Sequence, residues 1–442
     1  MESNANNKFS DLPTGWEMKK LKDVAINCGD YGANAPALPY KAGDVRYIRI
    51  TDIDDYGHLI SDDKASLDEA IAQNYLLKDN NILFARTGDT VGKSLLYKSS
   101  MGRAAYAGYL IRFTLDEKQI IPEFFDAIAK SDIFEAFKIA MKRIGAKPNI
   151  NSREYGIFRF PMPLNLDEQK GIAKLFTKVD EAITSVQNSI AAAERMKKSL
   201  MQNLLTGKMK PDGTFRTANE LYTDEKFGKI PVGWEVKRVD ALFDFYPTAS
   251  YSRSMLSDKG DCKYIHYGDI HTRFDTFLDI SEETLPFINK DMVKKFVYLE
   301  NGDIIISDTS EDYEGVGKLV EIVNLGDSKV ISGLHTLLLR PKTDELINGF
   351  KGYLFNEERV RLEFLKYVTG IKVYSISKNS LAKVLLPIPT RQEQEAIKSK
   401  IDVINNNISS SKTKINSLER LKKSLMQNLL TGKTQLFNSN RY

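Results

Sequence analysis

Thiol and imidazole are scarce in this 442-residue chain, which has two cysteines, Cys28 and Cys262, and four histidines. Two cysteines cannot build a disulfide framework, and their scarcity suits a reducing compartment. No stretch approaches the roughly 18 consecutive apolar residues of a membrane-spanning helix. The opening segment, MESNANNKFSDLPTGW, has no apolar signal core. The expected location is therefore the cytoplasm, with no membrane partner. Neither charge sign dominates: 63 Lys and Arg face 59 Asp and Glu, a net +4. That slight basic excess is compatible with a polyanionic partner without identifying one. A hydrophobic fraction of 42% and a charged fraction of 28% are those of an ordinary globular chain, here long enough for two or three domains.

The sequence contains itself twice. ERMKKSLMQNLLTGK (Glu194 to Lys208) recurs as ERLKKSLMQNLLTGK (Glu419 to Lys433), with Met196 against Leu421 as the sole difference. Weaker echoes fall in the same order in each half. LPTGWEMKKL (Leu12 to Leu21) answers IPVGWEVKRV (Ile230 to Val239), and DVRYIRITDI (Asp44 to Ile53) answers DCKYIHYGDI (Asp261 to Ile270). GAKPNINS (Gly145 to Ser152) answers GIKVYSIS (Gly370 to Ser377), and FPMPLNLDEQKGI (Phe160 to Ile172) answers LPIPTRQEQEAI (Leu386 to Ile397). A repeat of this length means two copies of one architectural unit, with a common frame and divergent interiors.

One stretch, NILFARTGDTVGKSLLYK (Asn81 to Lys98), resembles a phosphate-binding loop. Such a loop needs four residues between its first glycine and Gly-Lys-Ser/Thr, so that backbone N–H groups wrap the phosphates. Only Asp89, Thr90 and Val91 separate Gly88 from Gly92. The matching segment DIIISDTSEDYEGVGKLVEI (Asp303 to Ile322) has a longer loop and places Leu319 where a hydroxyl is needed. A strand–turn–strand is the better reading, with Gly92 and Gly317 at backbone angles that other residues resist.

From Asp167 to Leu205 the apolar residues Ile172, Phe176, Val179, Ile183, Val186 and Ile190 alternate by four and three, a helix-pair seam that continues through Ala193, Met196, Leu200 and Leu204. The second copy reads Ile397, Ile401, Ile404, Ile408, Ser411, Ile415 and Leu418, then Leu421, Leu425 and Leu429. Each helix is expected to end at a glycine, Gly207 or Gly432. At 1.5 Å per residue each would be a rod of roughly 58 Å. The two seams are expected to cover each other in an antiparallel pair, with the globular halves at opposite ends. The rest of each half is strand-rich. VRYIRI, NILFAR, YLIRFTL and their counterparts CKYIHY, DIIISD and TLLLRP read as strands, and Pro122 to Met141 and Leu346 to Val368 read as helices. The expected fold is α+β: two pseudo-repeated domains separated by two long antiparallel coiled-coil helices. The expected bounds are a first domain 10–162, a central helical region 163–208, a polar, turn-rich linker 209–229, a second domain 230–389, a distal helical region 390–433 and a tail 434–442.

In this order the LPTGWE and IPVGWE openings, the RTGDTVGK loop, the PMP…DEQ and PIP…QEQ segments and the SLMQNLLTGK helix ends resemble the DNA specificity subunit of type I restriction-modification systems, over nearly the whole chain. The resemblance implies two target recognition domains, each reading one half of a split site in double-stranded DNA, with the helices setting the spacing. It implies a non-catalytic chain with no cofactor or metal of its own, acting for host defence. Its implied partners are two methyltransferase (M) subunits carrying S-adenosylmethionine, docked on the helical rod, and restriction/motor (R) subunits using ATP and Mg. Divergent domains on one frame imply an asymmetric site.

By residue type, the candidate DNA surface of the first domain is Arg46, Arg49, Arg86, Thr87, Lys93, Lys147, Asn149, Asn151 and Arg153. In the second it is Lys263, His266, Tyr267, Asp308, Lys318, Lys372, Tyr374 and Lys378. Arginine and lysine neutralise phosphates or pair with guanine edges, and asparagine pairs with adenine. Rival chemistries are thinly supported. A DNA amino-methyltransferase should show an Asn/Asp-Pro-Pro-aromatic motif, and the chain has no Pro-Pro pair. A nuclease reading of Pro211-Asp212 with Glu235-Val236-Lys237 fails in the first copy, where Glu17-Met18-Lys19 has no such upstream pair. Cys262, His266 and His271 are a thin ligand set for a metal. The four histidines form no recognisable triad along the chain. The opposing reading is a paired-helix protein adaptor that does not bind DNA.

Overall fold

The computed structural model describes residues 12–60, 62–141, 148–293 and 295–436. Two compact units emerge, residues 1–188 with 413–442, and residues 189–412, so that each unit holds one domain and a portion of both long helices.

In the first unit the apolar run Asn81–Ala85 is buried throughout and lies at the heart of an antiparallel sheet. The sheet order is Asp30–Tyr31, Leu110–Thr114, Asn81–Ala85, Ser94–Leu96. A second sheet sets Leu38–Pro39, Ala65–Ser66, Arg46–Ile48 and Ala104–Tyr106 side by side, the last two parallel. Phe84 touches Phe113, Phe125, Phe134 and Tyr155 in an aromatic core. The segment Pro122 to Met141 is two helices, Pro122–Ala129 and Asp132–Met141, rather than the single one expected. Ser131 makes the break: its hydroxyl donates to the Ile128 carbonyl and accepts from the Ile133 N–H.

The second unit repeats this plan. Its larger sheet runs Phe243–Tyr246, Thr336–Pro341, Ile304–Ser307, Leu319–Val323, with Phe277–Asp279 added at the edge. Cys262–Ile265 is parallel to Val330–Ser332, as Arg46–Ile48 is to Ala104–Tyr106. Leu346 to Val368 again divides into two helices, Lys351–Phe355 and Glu358–Leu365, because the Glu357 carboxylate caps the second by accepting from the Val360 N–H. A fully buried ion pair, Lys351 to Glu321 at 3.0 Å, joins the first of these helices to the sheet. Each charge is satisfied: the carboxylate accepts from the Gly349 and Gly352 N–H groups, and the ammonium donates to Asn348. Such a pair is tolerated only with its remaining hydrogen bonds met.

The repeated motifs meet at the helix roots. Trp16–Lys20 pairs antiparallel with Arg159–Pro163, and Glu235–Arg238 with Leu385–Ile388, so each domain's opening strand is sewn to the strand that leads into its long helix. One turn into the first helix, Gln169 is fully buried. Its oxygen accepts from the Ile121 N–H (2.7 Å), and its nitrogen donates to the Gln119 (3.2 Å) and Pro163 (2.8 Å) carbonyls. Gln394 repeats the arrangement with the Ile347 N–H (3.0 Å) and the Glu345 and Pro389 carbonyls (both 2.9 Å). The preceding residue is a glutamate in both copies. Glu393 accepts from the Trp234 indole (2.7 Å) and pairs with Arg216. Glu168 is buried beside Trp16; burial pushes its pKa up, opposed by the indole and the Leu436 backbone.

The long helices run Leu166–Leu205 and Arg391–Leu429. In the first unit Ile172, Ala173 and Phe176 share a core cluster with Leu429 and Leu430, and Asp180 pairs with Lys422 at 2.6 Å, an antiparallel register. In the second unit Leu204 and Leu205 share a cluster with Ile397 and Ile401. Val179, Ile404 and Ile408 are buried, while Ile183, Val186, Ile190, Ile415 and Leu418 are half-buried. Met196 and Leu421 are 53% and 49% exposed, so the seam does not extend through them. Gly207 and Gly432 close the helices at φ +72° and +73°. A Cβ at Gly207 would meet Pro231 at 2.3 Å, and one at Gly432 would meet Pro13 at 2.8 Å. Glycine is thus required twice, by the left-handed angle and by contact with a domain opening.

The linker is more ordered than its polarity suggests. Leu221–Asp224 pairs with Gly228–Pro231 as a hairpin, whose turn is held by Asp224 accepting from the Lys226 and Phe227 N–H groups. Met209 and Phe227 are buried at either end of it. Among the described residues, no helix is long and apolar enough to cross a membrane.

Replacing Gln394 by Leu strands one N–H and two carbonyls in a buried site. At roughly 1–3 kcal/mol for a buried orphaned group, the variant should lose at least about 2 kcal/mol, read as a lower urea midpoint. An unchanged midpoint would contradict the assigned role.

Candidate nucleic-acid interface

In each domain the inner strand, Asn81–Ala85 or Ile304–Ser307, runs out into the variable loop, and a second segment crosses that exit. In the first domain the Arg86 N–H donates to the Tyr109 carbonyl (3.0 Å), and the Arg86 carbonyl accepts from the Ile150 N–H (2.9 Å). Thr87 bridges to Asn149, and the Gly88 N–H donates to the Pro148 carbonyl (3.0 Å). In the second domain the Asp308 N–H donates to the His335 carbonyl (3.1 Å), and the Asp308 carbonyl accepts from the Ile376 N–H (2.9 Å). Thr309 and Ser310 pair with Ser375 and Tyr374. The backbone hydrogen bonds at this crossing are therefore the same in both copies, while the side chains carried on them and the length of the loop differ.

The loop is a turn, as its sequence indicates. Gly88–Thr90 forms a single 3-10 turn, and Gly92 and Gly317 take φ of +87° and +72°. Gly92 N–H returns to the Ala85 carbonyl (2.9 Å), and Gly317 N–H to the Ser307 carbonyl (3.0 Å). Lys93, which a phosphate loop would aim inward, pairs instead with Asp55 (2.8 Å) and donates to the Ile53 carbonyl. The longer second loop is braced from below. Arg361 donates to the carbonyls of Gly317 (2.7 Å), Glu314 (2.8 Å) and Val316 (2.8 Å).

Several residues singled out by type gather on these edges. Arg86 lies over the Tyr31 ring at 4.9 Å, with its Nε buried and without a hydrogen-bond partner among the described residues. Burial pushes the Tyr31 pKa up, but the Ser152 N–H and the Arg86 charge together hold it below its ordinary value. Thr87 and Asn149 are adjacent to Arg86, and Asn151 follows, its side chain capping Ser152–Gly156 by accepting from the Glu154 N–H. Arg153 is exposed on that short helix. In the second domain Asp308, Tyr374 and Tyr267 converge, Tyr267 through its contact with His335 at 5.3 Å. Lys318 braces the same corner by donating to the His271 carbonyl (3.0 Å). Lys372 and Lys378 are exposed nearby in sequence, Lys378 lying over Phe245.

Others are not brought to these edges. Arg46 is buried, with its guanidinium donating to the Ile60 carbonyl. Arg49 is paired with Asp52 (2.8 Å) and Asp63 (3.3 Å). Lys263 donates to the Ile280 carbonyl (3.1 Å). His266 is 8% exposed and caps the helix Tyr267–Thr272, its Nδ1 accepting from the Gly268 N–H (3.1 Å). Lys147 lies outside the described residues. Residue type alone could not separate these structural roles from surface ones.

Four contributors were not singled out by type: Tyr31, Tyr109, Thr309 and His335. Tyr109 and His335 stand at equivalent places, each just before an inner strand and each giving its carbonyl to the loop. A chain signal existed, since both follow a glycine shortly before the repeated strands YLIRFTL and TLLLRP. The histidines, scattered along the sequence, also assemble: His266, His271 and His335 surround Tyr267 at 4.7, 6.2 and 5.3 Å. Among the described residues no group of three His, Cys, Asp or Glu could hold a metal ion.

A family model described as the type I restriction modification DNA specificity domain matches residues 13–195 and, a second time, residues 231–420. The chain belongs to this family. Two curated members from Methanocaldococcus jannaschii are similar to it. The type I restriction enzyme MjaVIII specificity subunit is 23% identical over 367 residues, covering 83% of this chain and 81% of that protein. The putative MjaX specificity subunit is 24% identical over 438 residues, covering 97% and 96%. Among solved structures, a chain from a study of complex assembly and conformational transition of the type I R-M system superposes with a TM-score of 0.59 at 18% identity, over 96% of this chain and all of that one. The type I restriction-modification S subunit from M. genitalium gives 0.55 at 13% identity, over 95% and 97%. At these identities the structural likenesses speak to the fold.

Burial, then the Arg253 and His335 charges, pull the His266 pKa below its ordinary 6.5, with Asp269 opposing. The folded domain thus keeps this ring neutral where the unfolded chain takes up a proton. Its contribution is intact above pH 6.5 and is lost as the pH falls below that value towards the depressed folded one. His266→Asn, which preserves a capping acceptor, should lose less stability than the parent between pH 7.5 and pH 5.5 in paired urea titrations. Equal losses would contradict this assignment.

Proposed function

We infer that the chain is the sequence-reading subunit of a type I restriction-modification complex, and that each domain reads one half of an asymmetric, bipartite site in double-stranded DNA. The observation that carries this reading is the pair of sheet edges: one backbone scheme, presenting Arg86, Thr87, Tyr109 and Asn149 in one copy and Asp308, Thr309, His335 and Tyr374 in the other. A frame held constant under changed side chains suits two readers of different sequences. Arg153 beside the first edge, and Lys372 and Lys378 near the second, supply phosphate contacts that position each domain, while the edge side chains discriminate bases.

The complex would contain two methyltransferase subunits that bind S-adenosylmethionine and modify an adenine in each half-site, and motor-nuclease subunits that use ATP and Mg to cleave unmodified DNA. The methyltransferase subunits would dock along the long helices, where Met196 and Leu421 leave apolar surface exposed at equivalent positions. The chain itself would supply recognition and no bond chemistry, and would work in the cytoplasm.

Methylome sequencing of cells that express the chain with its methyltransferase partners as the only adenine-methylating system should return one split, asymmetric motif. A continuous motif, or a palindromic one, would overturn the reading.

A further inference from the structure

His335 sits where the second domain's inner strand begins, in the left-handed region at φ +55°. A non-glycine residue there is uncommon and persists only where its surroundings impose it. Here they do so on both sides. The Leu334 N–H donates to the Tyr264 hydroxyl (2.8 Å), the Thr336 hydroxyl is held between Gly333 and Ser332, and the His335 carbonyl takes the Asp308 N–H. The ring stands edge-on to Tyr267 at 5.3 Å, and the side chain remains 48% exposed.

Its hydrogen bonds fix which nitrogen carries the proton. The Thr309 hydroxyl donates its one hydrogen to the Asp308 carboxylate, so towards His335 its oxygen can only accept. It lies 3.0 Å from the imidazole Nδ1, and the Asp308 carboxylate itself is 3.4 Å from that nitrogen. Both neighbours of Nδ1 are acceptors, so Nδ1 bears the hydrogen. The neutral ring therefore presents Nε2 with a lone pair. Thr309 is itself held in place: His271 Nε2 lies 3.0 Å from its carbonyl and 2.8 Å from the Ser307 hydroxyl, which donates to the same carbonyl.

From this geometry we propose that His335 is a specificity-determining residue of the second domain, with Nε2 accepting a hydrogen bond from an exocyclic amino group on a base edge, adenine N6 or cytosine N4. An acceptor suits those amino donors and is mismatched to phosphate oxygens and to guanine O6 and N7, all acceptors themselves. Thr309 is the positioning residue, acting by holding the tautomer. The equivalent place in the first domain carries Tyr109, 60% exposed, which keeps the backbone position and changes its chemistry. This assignment rests on the domains being DNA readers and adds which atom reads and what class of group it reads.

The test uses the full chain expressed with its methyltransferase partners, with motifs read by methylome sequencing. His335→Phe keeps the contact with Tyr267 and removes both nitrogens. Thr309→Val keeps the shape and breaks the relay, and Thr309→Ser restores the hydroxyl. The expected result is a motif that becomes degenerate at one position of one half in the Phe and Val variants, with discrimination there falling about tenfold. Whether that position is an A·T or a G·C pair in the parent motif tells the two amino donors apart. The Ser variant should keep the parent motif. An unchanged motif in the Phe and Val variants, or a uniform loss of methylation in Val that Ser does not restore, would overturn the proposal. Failure of the parent chain to give any split motif would instead sink the underlying reading, and this one with it.

Discussion

A single buried amide roots each long helix in its domain, and much of the architecture depends on it. Gln169 and Gln394 each satisfy one N–H and two carbonyls that come from different segments of the same domain. A carboxylate could not donate, and an ammonium could not accept, so only an amide side chain meets this mixed demand. The repeated Glu-Gln pair of each helix start follows in part: the glutamine binds the domain in both copies, and in the second the glutamate accepts from the opening tryptophan. At the other end of each helix a left-handed glycine lies against a domain opening, Pro231 and Trp234 for Gly207, Pro13 and Trp16 for Gly432. The motifs that recur in the sequence are those that meet in space at these roots.

Away from the roots, the two copies share a frame and differ in surface. The sheets containing Asn81–Ala85 and Ile304–Ser307 share the order of four strands and the hydrogen bonds that carry the inner strand into its loop. What hangs on that frame diverges. The first copy has a short turn and a guanidinium stacked on Tyr31, and the second a longer loop clasped by Arg361 and a relay from Asp308 through Thr309 to His335. Side chains on both edges are already held by contacts within the fold, and side chains held in this way lose little freedom on binding.

The duplicated order, the inner strands, the long helices and their terminal glycines were legible in the sequence, because each rests on periodicity or a backbone angle that few residues adopt. The breaks at Ser131 and Glu357 were not, since each depends on one side chain capping a helix that propensity alone would continue. The linker hairpin was hidden by its polarity, although Asp224 and Gly228 mark its turn. Of the candidates chosen by residue type, Arg86, Thr87, Asn149, Asp308 and Tyr374 lie on the paired edges, whereas Arg46 and His266 have polar groups used inside the fold. Residue type passed over His335 and Tyr109 because their significance comes from pairing with a loop distant in sequence.

The central claim is that two independent readers share one frame. Its most direct measurement is the methylated motif of a chimera in which residues 230–389 are replaced by the corresponding domain of another specificity subunit of known motif. The expected result is a hybrid motif, with one half exchanged for that of the donor and the other half retained. A change in both halves, or in neither, would contradict it.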